Sequence, residues 1–452
     1  MHHRLIANLA APGLLLAGAL CSNVQAQLAF SAAAQFDNRT GTGLFLEQGG
    51  QVVQLPTGFP EHNFPAQSRD TRFIVFSSPD GVTAPLQVPP SSDIYVFDRA
   101  TVQTRRIVDH TTLIFSPSEV DSFTPTSAAL SPNNQLLAYG VTLTRREGTA
   151  NPRSTKELNI ARASDGLILA NPTLGRGPVS DAFQAEFVGL AWDPTGTSFV
   201  TPLYVTVGTQ AGGVQQLPAI VRFAQNPANG AWAAAQVLST PRYLDAQFPT
   251  VAETHIYPVV SPSGAGLAYF HLTWPDVLGL SRGVTARVVI ANADGSNARF
   301  LAGFNEGFYP AGLAWSPDGN SLVVSIAQQA FNGARFMAAA DLSTAVIRVI
   351  STADGSISTR PGVNAGFFPS FGVASSAGSL DGVRLRMSRT ENGAIRLSAS
   401  GVEADKNYFL QSSGTLEPGS FNPPQTFTGA QLQVGIEINA PDSRRFFRLI
   451  AQ

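Results

Sequence analysis

The sequence has little charge, a single cysteine and no long apolar run after its first segment. Of 452 residues only 13% are charged, whereas 41 are glycine and 31 are proline. Too few helix-favouring charged residues remain for a helical bundle or coiled coil, and this composition is typical of short strands joined by turns. A hydrophobic fraction of 44% excludes wholesale disorder. The net charge of -2 provides no general attraction to nucleic acid or anionic lipid.

The first segment predicts a secretory signal peptide. A basic start at residues 2–4 precedes an apolar stretch at residues 14–20 and a small-x-small cleavage site that ends at Ala26. A membrane anchor would need roughly 20 apolar residues, and a lipid-modified Cys21 would need a small residue where Leu20 stands. Since Cys21 is the only cysteine, the mature chain would have no disulfide and no thiolate site. We expect a periplasmic or secreted protein without a transmembrane segment.

A repeated unit runs through the middle of the chain. In its clearest copy, Trp315-Ser316-Pro317-Asp318-Gly319 separates two apolar segments. Equivalent positions recur 55 to 68 residues apart, at residues 68, 131, 193, 261 and 316. Proline followed by Asp-Gly or Asn-Asn predicts a tight turn with a positive-φ residue, so the flanking apolar runs become a hairpin. A second pair of strands follows in each repeat, and four strands per unit are typical of a propeller blade.

The two ends of the repeat region set the number of blades. An aromatic residue, usually followed by proline, opens each unit: Phe64, Phe123, Phe187, Tyr257, Tyr309 and Phe368. Too little chain for a whole blade follows the sixth opening, whereas residues 43–55 predict an outer hairpin that lacks its inner strands. Joining the two predicts an all-β, six-bladed β-propeller that both ends of the domain close, which leaves no unpaired edge.

The Trp-Ser-Pro-Asp-Gly units resemble those of the TolB-type six-bladed propeller family over roughly residues 43–376. The motif is specific for the fold and unspecific for function, because related propellers are periplasmic scaffolds, non-catalytic parts of serine peptidases, or oligogalacturonate lyases. Beyond it, residues 408–413 and 446–449 are similar to strands of a small C-terminal β-sandwich of secreted bacterial proteins, which implies attachment or display. The predicted divisions are a signal peptide at 1–26, a propeller at 27–378 and a β-sandwich at 379–452.

Few residues are candidates for catalysis. No Gly-x-Ser-x-Gly motif, phosphate loop or dinucleotide fingerprint occurs in the sequence. His62 and His255 each lie two residues before an opening aromatic. With carboxylates, they could bind a divalent cation at the mouth of the channel. The resemblance to the lyases, which use histidines at a metal on the propeller axis, then implies a metal-dependent carbohydrate-active enzyme. The alternative is two solvent-exposed loop histidines.

Five carboxylates also precede the opening aromatics: Glu61, Asp121, Glu186, Glu253 and Glu306. If each aromatic begins the innermost strand, these acids crowd one mouth of the channel. Their negative potential would then favour a cation or a basic partner segment. The alternative is that they are ordinary solubilising acids of loops. Of the tryptophans, Trp192 and Trp315 are predicted to be core residues, whereas Trp232 and Trp274 are candidates for stacking on a sugar.

Three functions remain open at this point. The leading hypothesis is an exported propeller scaffold that binds a protein or glycan partner without catalysis. Its rival is the metal-dependent, lyase-like enzyme, and the third is a structural spacer in a cell-surface assembly. No cofactor is predicted, although a divalent cation is possible, and nothing in the sequence indicates the oligomeric state.

Overall fold

The computed structural model describes residues 7–8, 27–36, 39–48, 51–59, 61–79, 92–110, 120–145, 153–173, 186–208, 214–242, 244, 252–274, 283–331, 338–360, 362–363, 365–371, 384–389, 395–400, 407–413, 425–438 and 446–451. The chain forms two compact units. The larger runs from Ala26 to Val373, and the smaller combines Met1–Gln25 with Ala374–Gln452. None of the described helices has the length and apolar character that crossing a bilayer requires.

The larger unit consists of six four-stranded antiparallel sheets, which confirms the predicted six-bladed propeller. Each sheet is a blade, and its strands are given from the innermost outwards. Blade 1 consists of Phe367–Phe371, Leu28–Phe36, Arg39–Gln48 and Gln51–Gln54. Blade 2 consists of Asn63–Gln67, Phe73–Pro79, Ser92–Asp98 and Gln103–Val108. Blade 3 consists of Val120–Leu130, Leu136–Arg145, Arg153–Arg162 and Ile168–Ala170.

The other three blades follow the same plan. Blade 4 consists of Ala191–Trp192, Ser198–Gly208, Val214–Gln225 and Trp232–Val237. Blade 5 consists of Glu253–Val260, Gly266–Thr273, Thr285–Asn292 and Arg299–Gly303. Blade 6 consists of Phe308–Trp315, Ser321–Phe331, Ala338–Ser351 and Ile357–Ser358. The apolar core lies between neighbouring blades, as where Val75 and Val96 of blade 2 pack with Leu137 and Tyr139 of blade 3.

Blade 1 is closed by both ends of the unit, but its composition corrects the prediction. Three strands come from the N-terminal side and only the innermost, Phe367–Phe371, from the C-terminal side. The unpredicted strand is Leu28–Phe36, in which Leu28 pairs with Phe371 on one side and with Glu47 on the other. Four of its nine residues are alanine, which has weak strand propensity. Pairing on both sides therefore decides its conformation, and this pairing is invisible to a local pattern.

The turns between the two innermost strands carry the repeat. At each equivalent position, residues 68, 131, 193, 261 and 316, the backbone N–H donates to the carbonyl five residues later. The carbonyl of the same residue accepts from the N–H three residues later. That third residue has a positive φ in all five blades: Thr71, Asn134, Gly196, Gly264 and Gly319. The predicted turn is thus confirmed, with Asn or Gly at the positive-φ position in four blades and Thr71 in that place in blade 2.

A second glycine turn packs each of three blades against the preceding one. A Cβ on Gly295 of blade 5 would lie 2.1 Å from the carbonyl oxygen of Leu238, at the outer end of blade 4. Gly166 of blade 3 meets Ile107, and Gly355 of blade 6 meets Leu301, at comparable distances of 1.9 and 2.1 Å. All three glycines have positive φ. Only glycine fits here for two reasons: a Cβ would clash with the backbone of the neighbouring blade, and the turn residue has a positive φ.

The smaller unit has two sheets. One has the strand order Ala7–Asn8, Phe446–Ala451, Asn407–Ser413 and Gln425–Thr428, and the other Arg384–Arg389, Ile395–Ser400 and Ile436–Ile438. The sequence pattern predicts a strand over residues 432–438, but a helix at Gly429–Val434 occupies most of it. Thr428 and Gln431 form a capping box that starts this helix. The β-sandwich arrangement stays a prediction.

Candidate functional site

A cavity of about 200 Å³ lies on the axis of the propeller. Every blade contributes residues from its innermost strand or the chain beside it, such as Phe64, Ala128, Leu190, Val259, Leu313 and Phe371. The cavity wall extends to the turns of blades 2 to 5, which contribute Arg69, Pro132, Pro194 and Pro262. We call this end of the cavity the turn rim. The axial cavity is therefore the feature of the larger unit that all six blades build together.

The turn rim holds one cation. Among the described residues of the cavity wall, Arg69 is the only cationic and Asp193 the only anionic side chain. Arg69 Nη1 donates a 2.6 Å hydrogen bond to the carbonyl of Pro194, which bridges blades 2 and 4. The oxygens of Asp193 accept from the N–H groups of Thr195 and Gly196 and from the hydroxyl of Ser198. The carboxylate of Asp193 is thus bonded within its own turn, whereas the guanidinium of Arg69 lines the cavity and reaches across to blade 4.

Aromatic residues crowd the opposite end of the cavity. The rings of Phe64 and Phe368 lie 4.5 Å apart, and both residues pack in one cluster with Tyr257. All three have positive φ, between 51° and 52°. That conformation is uncommon for bulky side chains. Burial raises the pKa of the Tyr257 hydroxyl, with Tyr309 nearby as the second cause. This end of the cavity is therefore lined by packed aromatic rings.

The tryptophans depart from the prediction in part. Trp192 and Trp315 pack against core clusters as predicted, but they are only half-buried and also line the axial cavity. Their indole N–H groups donate to the carbonyls of Ala129 and Gly319, which fixes both rings beside the turn rim. Trp274 is buried and donates to Thr254, which leaves it no face for a sugar.

The predicted site residues do not gather around this cavity. Of those whose side chains the structure describes, none lines it. Glu186 and Glu253 are buried, with 1% and 6% of their surface exposed. Glu61 and Glu306 are exposed, and Glu306 accepts a hydrogen bond from the N–H of Gly283. Asp121 lies in the inner strand of blade 3, and its side chain is outside the described part of the chain.

Unequal positions of the opening aromatics explain why the acids are not level with one another. In blades 1, 2 and 5 the aromatic occupies a bulge at Phe368, Phe64 and Tyr257. In blades 3 and 6 the bulge instead skips Thr126 and Ala311. Phe123 and Tyr309 therefore precede their bulges, and the acids counted back from them stand at different heights. Binding of a cation by these acids stays a prediction.

His62 is a buried residue of the seam between blades 1 and 2. Only 1% of its surface is exposed. Its Nε2 lies 2.5 Å from the hydroxyl of Thr57, and its Nδ1 lies 2.6 Å from the carbonyl of Thr42. Burial lowers the pKa of His62 to about 4, against the opposing effect of the hydrogen bond to Thr42. Both ring nitrogens thus have protein partners, which suits a structural histidine better than a metal ligand.

His255 belongs to a separate cluster with Glu253 and His271. One donor atom from each of the three residues lies within 4.8 Å of the others. His255 Nε2 is 3.1 Å from His271 Nδ1, and His271 Nε2 is 3.9 Å from Glu253 Oε1. The structure therefore brings two predicted site residues, Glu253 and His255, together with one that was not predicted, and it gives His62 other partners.

Two residues of these sites had signals in the sequence. At the turn rim, Arg69 replaces the proline that stands after the equivalent position in the other copies: Pro132, Pro194, Pro262 and Pro317. A charged residue in place of a turn proline indicates a side chain with a role other than forming the turn. His271 pairs with His255 across the hairpin of blade 5. Counting outwards from the turn at residues 261–266 would have placed the two histidines nearly opposite each other.

Comparisons with known proteins bear on the fold alone. No family model matches the sequence, and no curated protein matches it. Among solved structures, the chain is similar to TolB from Acinetobacter baumannii at 15% identity and a TM-score of 0.43. That alignment covers 77% of this chain and 66% of the other, just under two thirds of its length.

Two further solved structures carry different activities in their names. One is an oligogalacturonate lyase from Vibrio parahaemolyticus, at 14% identity, 82% coverage of each chain and a TM-score of 0.33. The other is a puromycin-hydrolyzing peptidase from Mycobacterium tuberculosis, at 13% identity and a TM-score of 0.35, covering 82% of this chain and 58% of that one. TolB-type propellers, which the repeats resemble, are thus among the structures to which this chain is similar, alongside propellers of other functions.

Proposed function

We propose that this chain is an exported, non-catalytic propeller scaffold that binds a partner protein, a segment of which enters the axial cavity at the turn rim. The observation that carries the proposal is the wall of this cavity, to which all six blades contribute. Such a wall is held by every seam of the propeller, so it is rigid before a partner arrives. Rigid sites lose little conformational entropy on binding.

The size of the axial cavity favours a protein segment over a polysaccharide. At about 200 Å³ it is smaller than most small-molecule pockets, which begin at roughly 300 Å³. It has room for one anchoring side chain or one chain end, whereas a lyase must seat several sugar rings. An anchor residue in a central pocket is how many protein interfaces concentrate their binding energy.

The charge of the turn rim indicates what kind of segment fits. Arg69 uses one N–H group on Pro194, and a guanidinium has five such donors in a fixed fork. Carboxylates pair with that fork through two parallel hydrogen bonds. The half-buried indoles of Trp192 and Trp315 offer apolar contact beside it. We infer an apolar segment with an acidic side chain or a free C-terminal carboxylate.

A peptide library tests this proposal. The purified protein is screened against peptides with a free carboxyl end and against the same peptides as C-terminal amides, and selected peptides are titrated by calorimetry. We expect acidic or carboxyl-terminal apolar peptides, and an affinity that falls at least about tenfold in Arg69→Gln, which is one lost charge-assisted pair. Arg72→Gln is the matched control, because Arg72 lies in the same turn but pairs with Asp98.

Selection of no peptide, or equal affinity in Arg69→Gln and Arg72→Gln, would overturn the proposal. So would binding of oligosaccharides that the Arg69 substitution leaves unchanged. Export is part of the proposal and is tested separately by sequencing the N-terminus of the protein recovered from the periplasm or medium. A mature chain that begins at Gln27 supports the predicted cleavage, and a retained Met1 contradicts it.

A further inference from the structure

Three potential metal ligands lie on one face of the inner hairpin of blade 5. Glu253 and His255 are two residues apart on strand Glu253–Val260, so their side chains point to the same side. His271 lies directly opposite His255 on the neighbouring strand. Residues that face each other across an antiparallel pair have adjacent side chains. The hairpin register therefore brings one carboxylate and two imidazoles together.

The spacing of their donor atoms suits a single ion. Two nitrogen or oxygen ligands of a tetrahedral Zn²⁺, each about 2.0–2.1 Å from the metal, lie roughly 3.4 Å apart. His255 Nε2 and His271 Nδ1 lie 3.1 Å apart, close to that value, and one donor atom from each of the three residues lies within 4.8 Å of the others. We propose that Glu253, His255 and His271 bind one divalent metal ion of the Zn²⁺ or Co²⁺ type, a site distinct from the axial cavity.

The residues around the cluster orient the imidazole of His255. His255 Nδ1 lies 2.7 Å from the hydroxyl of Ser239, which belongs to the chain that leaves blade 4. Such a bond to the outward nitrogen orients an imidazole and leaves Nε2 for the ion. Neutral imidazole is the form that ligates metals.

Arg242 forms an ion pair with Glu253 of the cluster, and its exposed side chain can move aside. Its guanidinium donates to both carboxylate oxygens of Glu253, at 2.9 and 3.2 Å. Its side chain is 73% exposed, and ion pairs with such exposed partners contribute little to stability. A metal ion that takes one oxygen of Glu253 leaves the other for Arg242.

A second cluster provides the control. Asp93, Asp109 and His110 also bring their donor atoms within 4.8 Å of one another. There, however, Arg106 already bonds both carboxylates, at 3.0 Å from Asp93 and 2.7 Å from Asp109. The guanidinium supplies the positive charge that an ion would bring, so no metal is expected at this cluster.

Cobalt titration tests the proposed site. The full chain is freed of metal with a chelator and titrated with Co²⁺, whose visible absorption reports nitrogen ligation, and Zn²⁺ is then added to displace it. We expect one Co²⁺ per chain in the parent and in His110→Gln, and at least a tenfold weaker affinity in His271→Gln and in Glu253→Gln. Circular dichroism of the metal-free variants checks their fold.

His255 is the most buried of the three ligands, so its substitution would disturb packing most. The conclusion therefore depends on His271→Gln and Glu253→Gln, and His255→Gln is measured only as a third variant. The proposal is overturned if the parent gives no Co²⁺ spectrum, if His110→Gln abolishes it, or if folded His271→Gln and Glu253→Gln bind Co²⁺ as the parent does. These outcomes are independent of peptide binding, so either proposal can fail without the other.

Discussion

The seam between blades 4 and 5 offers a sharp test of how the propeller is held together. Gly295 has φ +84° and approaches the carbonyl oxygen of Leu238, which a Cβ would meet at 2.1 Å. The same turn accepts hydrogen bonds from blade 4: Gln236 Nε2 donates to Asp294, and Arg222 Nη2 donates to Ala293. Substitution Gly295→Ala therefore strains the turn and forces it away from both donors.

The magnitude follows from these contacts. A left-handed conformation costs alanine about 1–2 kcal/mol, and two lost hydrogen bonds cost about 1 kcal/mol each. The lower entropy of the unfolded variant returns about 0.4–1 kcal/mol. Gly295→Ala should thus lower the free energy of unfolding by about 3 kcal/mol. With an unfolding entropy of ~0.7 kcal/mol/K for the unit Ala26–Val373, this is a fall in melting temperature of about 4 °C.

Two other glycines separate the contributions in a calorimetric melt. Gly307 has φ +88° but no atom within 4 Å of its Cβ position, so Gly307→Ala shows the backbone strain alone, about 1 kcal/mol. Gly303 has neither a positive φ nor a contact closer than 3.7 Å, and Gly303→Ala should leave the melting temperature unchanged or higher. Equal losses in Gly295→Ala and Gly307→Ala would refute the role of the seam contact.

Three further predictions concern buried polar groups. Because burial holds the pKa of His62 at about 4, the unfolded chain takes up a proton first as the pH falls below 6.5. The stability that is present above pH 6.5 is then lost as the pH falls to about 4. In urea unfolding the parent should lose about 3 kcal/mol more over this range than His62→Gln. Parallel pH profiles of the two proteins would show that His62 does not cause the pH dependence. Arg360→Met removes the guanidinium that bonds Glu47, a carboxylate only 3% exposed, and should cost about 3–5 kcal/mol in the same assay. A loss below about 1 kcal/mol would mean that the pair does not secure the closing blade. Tyr139 is buried and its hydroxyl has no hydrogen-bond partner among the described atoms, so Tyr139→Phe should be neutral or stabilising by about 1 kcal/mol in thermal melts; a clear loss would imply a partner for this hydroxyl.

Local chemistry explains which parts of the fold were predictable. The turns at residues 131, 193, 261 and 316 depend on a proline and on an Asn or Gly with positive φ, both of which are visible in the sequence, and their hydrogen bonds lie within six residues. Strand Leu28–Phe36 depends instead on pairing with Phe367–Phe371, more than three hundred residues away. The capping box at Thr428 and Gln431 was readable but was missed, because the apolar residues that follow it favoured a strand.

The sites show the same division between local and long-range information. Glu253 and His255 were found because their spacing is local, whereas their role depends on His271, which only the hairpin register brings to them. The opening aromatics were read as equivalent, although bulges of different position set them at different heights. Arg69 is visible in the sequence as part of a degenerate copy of the repeat. Its position in the axial cavity depends on the other five blades, which no local pattern shows.

A crystal structure of the protein with a peptide selected from the library would test the central claim most directly. The account predicts that the peptide enters the axial cavity at the turn rim, with its carboxylate within hydrogen-bond distance of the Arg69 guanidinium and an apolar side chain beside Trp192 and Trp315. A peptide bound on the outer strands of the blades, with the axial cavity unchanged and empty of it, would contradict the account.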